Sequence, residues 1–272
     1  MLTDGHPSKR LGQHWLTDAR VIRRLVDAVV CEPDALCLEI GPGRGALTLP
    51  LAQRVPRLIA VELDARWVAS VRTQCSALPQ VTIVHDDILT YQPPAAQPLV
   101  VVGAIPYQLT SAILERLIAW KAHLRRAYLV VQREVAQRLA ATPGTPSWGR
   151  LSCLAQYQCL IVPGAVIPRS AFRPPPRVES QLVTLTPRTR PPCRVVDERL
   201  FFALIARLFQ TRRKTIAHSL KRWDQLSGST AAIPPLLHRV GIAPQARGET
   251  LSLAQLATLA NALVHVDVPR NG

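Results

Sequence analysis

Residues 97–111 combine a short apolar strand with a rigid aromatic turn. Leu99–Val102 is predicted to be a buried strand, and Ile105-Pro106-Tyr107 follows it, at the sheet edge where α/β proteins place their active sites. An aromatic ring on a proline turn, beside exposed backbone carbonyls, can hold a flat base that carries an exocyclic amine. Ala104 opens the turn and brings no polar side chain. We therefore expect Ala104–Tyr107 to be a base-binding turn.

A glycine-rich loop and two acidic residues fall at three other strand ends. Glu39-Ile-Gly-Pro-Gly-Arg-Gly45 follows a predicted strand and opens a helix, so its glycines let a ligand approach the backbone closely. Glu62 ends the next strand, where a carboxylate can accept hydrogen bonds from ribose hydroxyls. Asp87 ends the third strand, where it can meet an adenine amine. Together these residues indicate a cofactor that contains adenosine.

Two classes of adenosyl cofactor fit this set. A dinucleotide would use the glycine loop and Glu62, but it leaves the Ile105-Pro106-Tyr107 turn unexplained. S-adenosylmethionine accounts for both features. An acid just ahead of the first glycine, here Glu39, also favours an enzyme that uses this methyl donor.

These candidates meet only if their strands are parallel, because the carboxyl ends of parallel strands lie at one edge of a sheet. Apolar runs alternate with helical patterns in the first half of the chain, which predicts such a sheet with helices on both faces. The predicted strands are Leu36–Ile40, Leu58–Glu62, Val81–Val84, Leu99–Val102 and Arg126–Val131, followed by a late antiparallel edge pair, Cys159–Pro163 and Gln181–Thr186. The predicted helices between them are Ala46–Arg54, Ala65–Ser76, Ser111–Trp120 and Glu134–Ala141.

The C-terminal part of the chain is predicted to be a small, basic helical domain. Pro and Arg residues crowd together over Pro187–Arg194, as in a linker, and helical periodicity follows over Asp197–Arg222 and Ser252–Val264. Between residues 188 and 223, ten Lys and Arg stand against two acids, a net charge of +8. Arg212-Arg213-Lys214 interrupts the first amphipathic stretch, and this density of positive charge favours contact with a phosphate backbone.

The composition of the whole chain points the same way. Its 272 residues include 33 Lys and Arg and 18 Asp and Glu, which gives a net charge of +15 and predicts a polyanionic partner, either nucleic acid or an anionic membrane surface. The apolar runs fall short of the roughly 20 residues that span a bilayer, and Met1–Arg20 has no signal-peptide core. The six cysteines lack metal-ligand spacing, so we expect reduced thiols in a cytoplasmic protein and no metal site.

A series of motifs occurs in order over about residues 8–263. They are Leu11-Gly-Gln-His-Trp-Leu16, Glu39–Gly45, Glu62, Asp86-Asp87, Gly103-Ala-Ile-Pro-Tyr107, Gly149-Arg-Leu-Ser152, Ala171-Phe-Arg-Pro-Pro-Pro-Arg177, Phe209–Thr215, Gly241-Ile-Ala-Pro244, Arg247 and Glu249–Leu253. This series resembles the small-subunit (16S) rRNA adenine N6-dimethyltransferases. The C-terminal motifs are more similar to the ribosome-biogenesis branch of that family than to its macrolide-resistance branch.

The resemblance implies an α/β fold: a Rossmann-like S-adenosylmethionine-dependent methyltransferase domain at residues 8–187 and a small C-terminal all-helical rRNA-docking domain at residues 195–268. The cofactor-binding residues that it implies are His14, Leu16, Gly41, Gly43, Glu62, Asp87 and Ala104. The implied catalytic residues are Ala104, Ile105, Pro106, Tyr107 and Phe172. Tyr107 would stack on the target adenine with the help of Phe172. Arg212, Arg213 and Lys214 are the RNA-binding residues that we expect from the charge pattern.

The function that the resemblance implies is N6,N6-dimethylation of adenosines near the 3′ end of small-subunit rRNA during ribosome assembly. The methyl donor would be S-adenosylmethionine. The partner would be small-subunit rRNA in a pre-30S particle, and the protein would be a cytoplasmic monomer that binds no membrane.

Two positions depart from the family pattern. Ala104 stands where the family has an Asn whose side-chain oxygen accepts a hydrogen bond from the N6 amine, and His14 stands where Asn is usual. Losing a preorganised polar partner typically costs on the order of 10²–10³ in rate. A catalytically weak or inactive rRNA-binding assembly factor of the same fold is therefore a second hypothesis, and a large-subunit rRNA resistance methyltransferase is a third.

Overall fold

A computed structural model describes residues 14–94, 97–223, 226 and 230–264 of the chain. The chain divides into two compact units. The first unit contains the described residues up to Ala136 together with Leu160–Pro187, and the second contains Gln137–Cys159 and the described residues from Arg188 onward. The first predicted domain, 8–187, includes Gln137–Cys159, which the structure assigns to the second unit. Residues 8–13 and 265–268 of the two predicted domains lie outside the described residues.

The strands and helices of the described residues run in the following order. The strands are β1 (Trp15–Leu16), β2 (Leu36–Ile40), β3 (Leu58–Glu62), β4 (Val81–His85), β5 (Leu99–Ala104), β6 (Leu124–Gln132), β7 (Cys159–Ile167), β8 (Phe172–Arg173) and β9 (Ser180–Pro187). The helices are α1 (Ala19–Ala28), α2 (Thr48–Ala52), α3 (Ala65–Gln74), α4 (Thr110–Ala119), α5 (Arg133–Leu139), α6 (Arg150–Gln158), α7 (Glu198–Gln210), α8 (Ile216–Lys221), α9 (Ile233–Arg239) and α10 (Leu253–Leu263).

A seven-stranded sheet in the order β4-β3-β2-β5-β6-β9-β7 forms the centre of the first unit. The five strands from β4 to β6 are parallel, and β9 is antiparallel to β6. All five residues of β2 are buried, as are the first five of β5, which is why both segments are near-continuous apolar runs. The predicted parallel sheet is therefore confirmed, and the bounds of β2 and β3 are those that the sequence predicts.

The register of this sheet aligns the carboxyl ends of its central strands. Glu39 of β2 lies beside Ala60 of β3 and Val102 of β5, and Glu62 lies beside His85 of β4. The segments that follow β2, β3, β4 and β5 therefore emerge at one edge.

A second, two-stranded sheet was not predicted. Trp15 pairs with Arg173 and Leu16 pairs with Phe172, so that β1 and β8 run antiparallel. This pairing brings the N-terminal motif together with a segment more than 150 residues away.

The second unit is helical and has its own apolar core. Phe201, Leu204 and Leu208 of α7 are buried in it together with Trp148, whose indole N–H donates to the carbonyl of Leu251 at 3.1 Å. α7 and α8 occupy the predicted helical stretch Asp197–Arg222, and the break between them contains the basic triplet. None of the helices in the described ranges is long and apolar enough to cross a membrane.

Candidate active site

The glycine loop after β2 has the backbone that only glycine adopts without strain. Gly41 and Gly43 have φ angles of +67° and +53°, in the left-handed region. A Cβ on Gly43 would lie 3.1 Å from Cδ1 of Trp15, so a side chain there would push against the β1 segment. A Cβ on Gly41 would meet nothing within 4 Å, so the loop is open at Gly41, whereas Trp15 fills the space beside Gly43.

Glu62 at the end of β3 holds this loop. Its Oε2 accepts the backbone N–H of Gly43 at 3.0 Å, and its Oε1 accepts the backbone N–H of Asp64 at 2.9 Å. The side chain is buried, with 7% of the residue exposed, and burial raises the pKa of the carboxyl while the backbone hydrogen bonds act in the opposite direction. A carboxylate has about four acceptor sites, so these bonds leave room for a ligand hydroxyl.

Glu39 lies deeper, under the same loop. It is 1% exposed, and its Oε2 has no hydrogen-bond partner among the described residues. Burial raises the pKa of Glu39 to about 8, and the negative charge of Glu62 adds to the rise. A buried carboxyl without a full set of partners prefers its neutral form. Burial of this depth was not anticipated from the sequence.

The acidic pair after β4 forms a tight turn. Oδ1 of Asp86 accepts the N–H of Asp87 at 2.7 Å, and Oδ1 of Asp87 accepts the N–H of Leu89 at 2.9 Å. These bonds fix the half-buried Asp87 carboxylate and leave its Oδ2 for a ligand. His85, which ends β4, is exposed, and its Nε2 lies 3.1 Å from the carbonyl oxygen of Leu63.

The turn after β5 is held at both ends. The N–H of Ile105 donates to the carbonyl of Val130 on β6 at 3.3 Å, and the N–H of Leu109 donates to the carbonyl of Pro106 at 2.9 Å. Since the Pro106 carbonyl already accepts this bond, the carbonyls of Ala104 and Ile105 are the better candidates for an incoming amine.

Tyr107 projects from this turn and is fixed by two side chains. Its hydroxyl shares a hydrogen bond of 2.7 Å with Oγ of Ser180, and the His14 ring stacks beside its ring with centroids 6.0 Å apart and an interplanar angle of 25°. Nδ1 of His14 lies 2.8 Å from the carbonyl oxygen of Pro174. Burial raises the pKa of Tyr107, so the phenol stays protonated near neutral pH.

An aromatic cluster joins β1 to the glycine loop and α3. The Arg44 guanidinium lies 4.3 Å from the centroid of the Trp15 ring and 5.3 Å from that of Trp67. The two indoles meet edge to face at 5.1 Å. A guanidinium close to indole rings is a favourable cation–π contact. Here it attaches the glycine loop to β1 and α3. Trp15 and Arg44 belong to the sequence motifs and Trp67 does not, and nothing in the spacing of these residues predicts that they touch.

One cavity of about 250 Å³ unites these features in the first unit. It is lined by every residue predicted to bind the cofactor or to take part in catalysis: His14, Leu16, Gly41, Gly43, Glu62, Asp87, Ala104, Ile105, Pro106, Tyr107 and Phe172. Glu39, Trp15 and Arg44 line it as well. Across the residues that the structure describes, no group of three or more His, Cys, Asp and Glu side chains could hold a metal ion.

The basic triplet lies in the second unit, between α7 and α8. Arg213 and Lys214 are exposed. Arg212 differs, since it forms an ion pair with Glu249 and donates to the carbonyl of Pro146 at 2.7 Å. The charge pattern predicted one uniform RNA-binding triplet, whereas one of its three members is bonded within the helical unit.

Comparison with known proteins places these observations in a family. A family model described as ribosomal RNA adenine dimethylase matches residues 6–264. The chain is 38% identical over 263 residues to the ribosomal RNA small subunit methyltransferase A of Shouchella clausii, an overlap of 94% of this chain and 89% of that protein.

Two solved structures are similar in fold. The 23S rRNA methyltransferase ErmE has a TM-score of 0.74 and 28% identity, over 92% of this chain and 100% of that one. A dimethyladenosine transferase from Plasmodium falciparum has a TM-score of 0.79 and 22% identity, over 90% and 96% of the two chains. These likenesses confirm the predicted α/β, Rossmann-like fold class. With the family match over nearly the whole length, they establish that the chain belongs to the ribosomal RNA adenine dimethylase family.

Proposed function

We propose that this protein transfers methyl groups from S-adenosylmethionine to N6 of adenosines near the 3′ end of small-subunit rRNA, giving N6,N6-dimethyladenosine during ribosome assembly. The observation that carries the proposal is the cavity of the first unit described above. It brings a glycine loop, two strand-end carboxylates and an Ile-Pro-Tyr turn to one edge of a parallel sheet. The family assignment gives the reaction class, and the name of the curated relative supports the small-subunit substrate.

The cavity suits an adenosyl methyl donor. The open backbone at Gly41 would face the cofactor, and Gly43 lines the cavity beside it. Glu62 would accept hydrogen bonds from the ribose hydroxyls, and Asp87 would accept one from the adenine amine. Leu16 and His14 of the β1 segment would close over its methionine end. When bound, S-adenosylmethionine supplies an electrophilic methyl group on a sulfonium centre.

The turn after β5 would hold the substrate base. Tyr107 would stack on the target adenine, and Phe172 would support the base after it leaves the RNA stack. The N6 lone pair is delocalised into the ring, so acceptors must bond its N–H groups and make the nitrogen more tetrahedral. The carbonyls of Ala104 and Ile105 would supply these acceptors. Alignment of the nitrogen with the methyl group then provides much of the acceleration, and no strong general base is needed.

The helical unit would bind the RNA backbone. Arg213 and Lys214 are exposed and project from the most basic stretch of the chain. Phosphate contacts of this kind give affinity and little sequence information, so recognition would depend on RNA shape and on extrusion of one base. We propose a monomer that acts on a pre-30S particle in the cytoplasm.

Ala104 favours a second candidate, a catalytically weak or inactive rRNA-binding assembly factor. Its methyl side chain offers the amine no acceptor at a position that lines the cavity. Such a protein would keep the cofactor pocket and the basic helical unit, and it would bind small subunits without turnover.

One experiment separates these candidates. The full-length protein is incubated with methyl-labelled S-adenosylmethionine and with unmethylated small or large subunits. Label in small-subunit rRNA alone supports the proposal. Binding of small subunits without label supports the assembly factor, and label in large-subunit rRNA would support a resistance-type enzyme and contradict the proposal.

A further inference from the structure

Tyr107 is joined to the sheet through a residue far from it in the chain. Its hydroxyl and Oγ of Ser180 lie 2.7 Å apart, although 73 residues separate them. Ser180 is the first residue of β9, where it pairs with Gln132 at the end of β6. It is fully buried, so the tyrosine hydroxyl is anchored to the interior of the first unit.

This contact decides where the Tyr107 ring can lie. The tyrosine side chain can turn about two torsions, χ1 and χ2. The His14 ring, stacked beside the Tyr107 ring, leaves that ring free to slide in its own plane. The hydrogen bond to Ser180 restrains that movement at the far end of the ring. The hydrogen bond fixes the position of the ring and the stacking fixes its tilt, so the ring is ordered before a base binds.

The alternative to a functional bond is a buried serine that merely satisfies its own hydroxyl. A seryl hydroxyl could do so with a neighbouring backbone carbonyl, as most buried hydroxyls in proteins do. Here it bonds a side chain that lines the cavity, and that side chain is the one expected to stack on the base. The bond therefore links the sheet interior to the substrate-binding surface.

We propose that Ser180 is a positioning residue, which acts through the Tyr107 hydroxyl to hold the aromatic ring where the target adenine stacks. This inference rests on the proposed function. It predicts that the hydroxyl of Tyr107, which has no part in the transfer itself, contributes to the rate only while Ser180 is present.

A double-mutant cycle tests this coupling. The four proteins are the wild type, Ser180→Ala, Tyr107→Phe and the double variant. Loss of one neutral hydrogen bond corresponds to about a three- to tenfold effect. We expect either single change to lower kcat for methyl transfer by that factor, with the KM for S-adenosylmethionine unchanged. The double variant should lose no more than the single ones, and Ser180→Thr, which keeps the hydroxyl, should restore the rate.

Additive losses in the cycle, or a Ser180→Ala enzyme as fast as the wild type, would overturn the proposal. Thermal unfolding of the four proteins identifies any general loss of stability, and the rates are compared at a temperature at which all four proteins are folded. If the wild type transfers no methyl group, the proposed function fails separately. The four proteins are then compared by the quenching of a fluorescent adenine analogue in small-subunit RNA, which reports stacking on the aromatic ring. Ser180→Ala should reduce this quenching in the protein with Tyr107 and should have no effect in the Tyr107→Phe variant.

Discussion

The backbone N–H of Gly43 donates a hydrogen bond of 3.0 Å to Oε2 of Glu62, which joins the loop after β2 to the end of β3 inside the cavity. The loop and the carboxylate expected to hold the ribose are thus one unit. A change at Glu62 should alter the shape of the loop and the contacts of the ligand together.

Glu62→Gln should weaken cofactor binding. The amide nitrogen that replaces one carboxylate oxygen cannot accept a hydrogen bond, and the negative charge is lost. Hydrogen bonds to charged groups contribute about 1.5–3 kcal/mol, so the Kd for S-adenosylmethionine should rise about tenfold or more. Isothermal titration calorimetry measures it. Glu115→Gln, which removes a charge from an exposed position on α4, is the matched control, and equal affinity in the two variants would contradict the role of Glu62.

Glu39 should make the stability of the protein depend on pH. Its pKa is about 8 in the folded protein and 4.5 for the ordinary carboxyl, so the folded state keeps a proton that the unfolded chain releases. The resulting stability is complete below pH 4.5 and is lost as the pH rises to about 8.

Glu39→Gln isolates this effect, because glutamine stays neutral throughout. The variant should gain stability relative to the wild type between about pH 5 and pH 8, by an amount on the order of a few kcal/mol, and the gain should then level off. Urea unfolding of both proteins at about pH 5, 7 and 9 gives the free energies. Parallel curves for the two proteins would show that Glu39 ionises normally in the fold.

Ala104→Asn should accelerate methyl transfer. Asparagine would add a side-chain oxygen at the turn, where preorganised acceptors are typically worth on the order of 10²–10³ in rate. We expect an increase of about tenfold in kcat from the added acceptor. Single-turnover methylation of small subunits measures it, with Ala104→Leu as a control of similar size without an acceptor. A gain in the Leu variant, or none in the Asn variant, would refute this explanation.

Arg213→Ala and Lys214→Ala should each weaken RNA binding and lower its salt dependence. If each side chain contacts one phosphate, the slope of log K against log salt should fall by about one per substitution. Filter binding of small-subunit rRNA over a range of salt concentrations provides the slope.

Arg212→Ala should behave differently from its two neighbours. It removes the partner of Glu249 and a hydrogen bond to Pro146, so the expected effect is a lower Tm with a smaller change in salt slope. Equal slopes for all three variants would mean that the whole triplet binds RNA, as the charge pattern alone predicts.

The parallel sheet could be predicted because its strands carry a local signal. β2 and β5 are short, near-continuous apolar runs that end at Gly41 and Gly103, and that pattern is set by burial on both faces. Once the strands are placed, the glycine loop, Glu62 and Asp87 fall at strand ends, and this predicts that they lie at one edge of the sheet.

The helices missed by sequence analysis have weaker or misleading patterns. α1 is the exception, because its Asp18 cap and apolar face are a clear local helix signal. α6 is harder to detect, because its buried face includes Ser152, whose hydroxyl donates to the carbonyl of Arg138. Polar residues at core positions obscure the periodicity on which such predictions depend.

The contacts around Tyr107 could not be predicted from local patterns at all. Pairing of β1 with β8 joins two-residue strands, which are too short to show any alternation. The bond between Tyr107 and Ser180 depends on the register of β9 against β6, which only the folded sheet defines. The sequence therefore indicates which residues line the cavity. It does not indicate the contacts, such as the bond from Ser180 to Tyr107, that hold those residues in place.

The central claim is that this protein dimethylates adenosines of small-subunit rRNA. The most direct test is mass spectrometry of nuclease digests of unmethylated small subunits after incubation with the protein and S-adenosylmethionine. The account predicts N6,N6-dimethyladenosine in fragments from the 3′ end of the rRNA and in no other fragment. Unmodified adenosines in that region, from subunits that bind the protein, would contradict it.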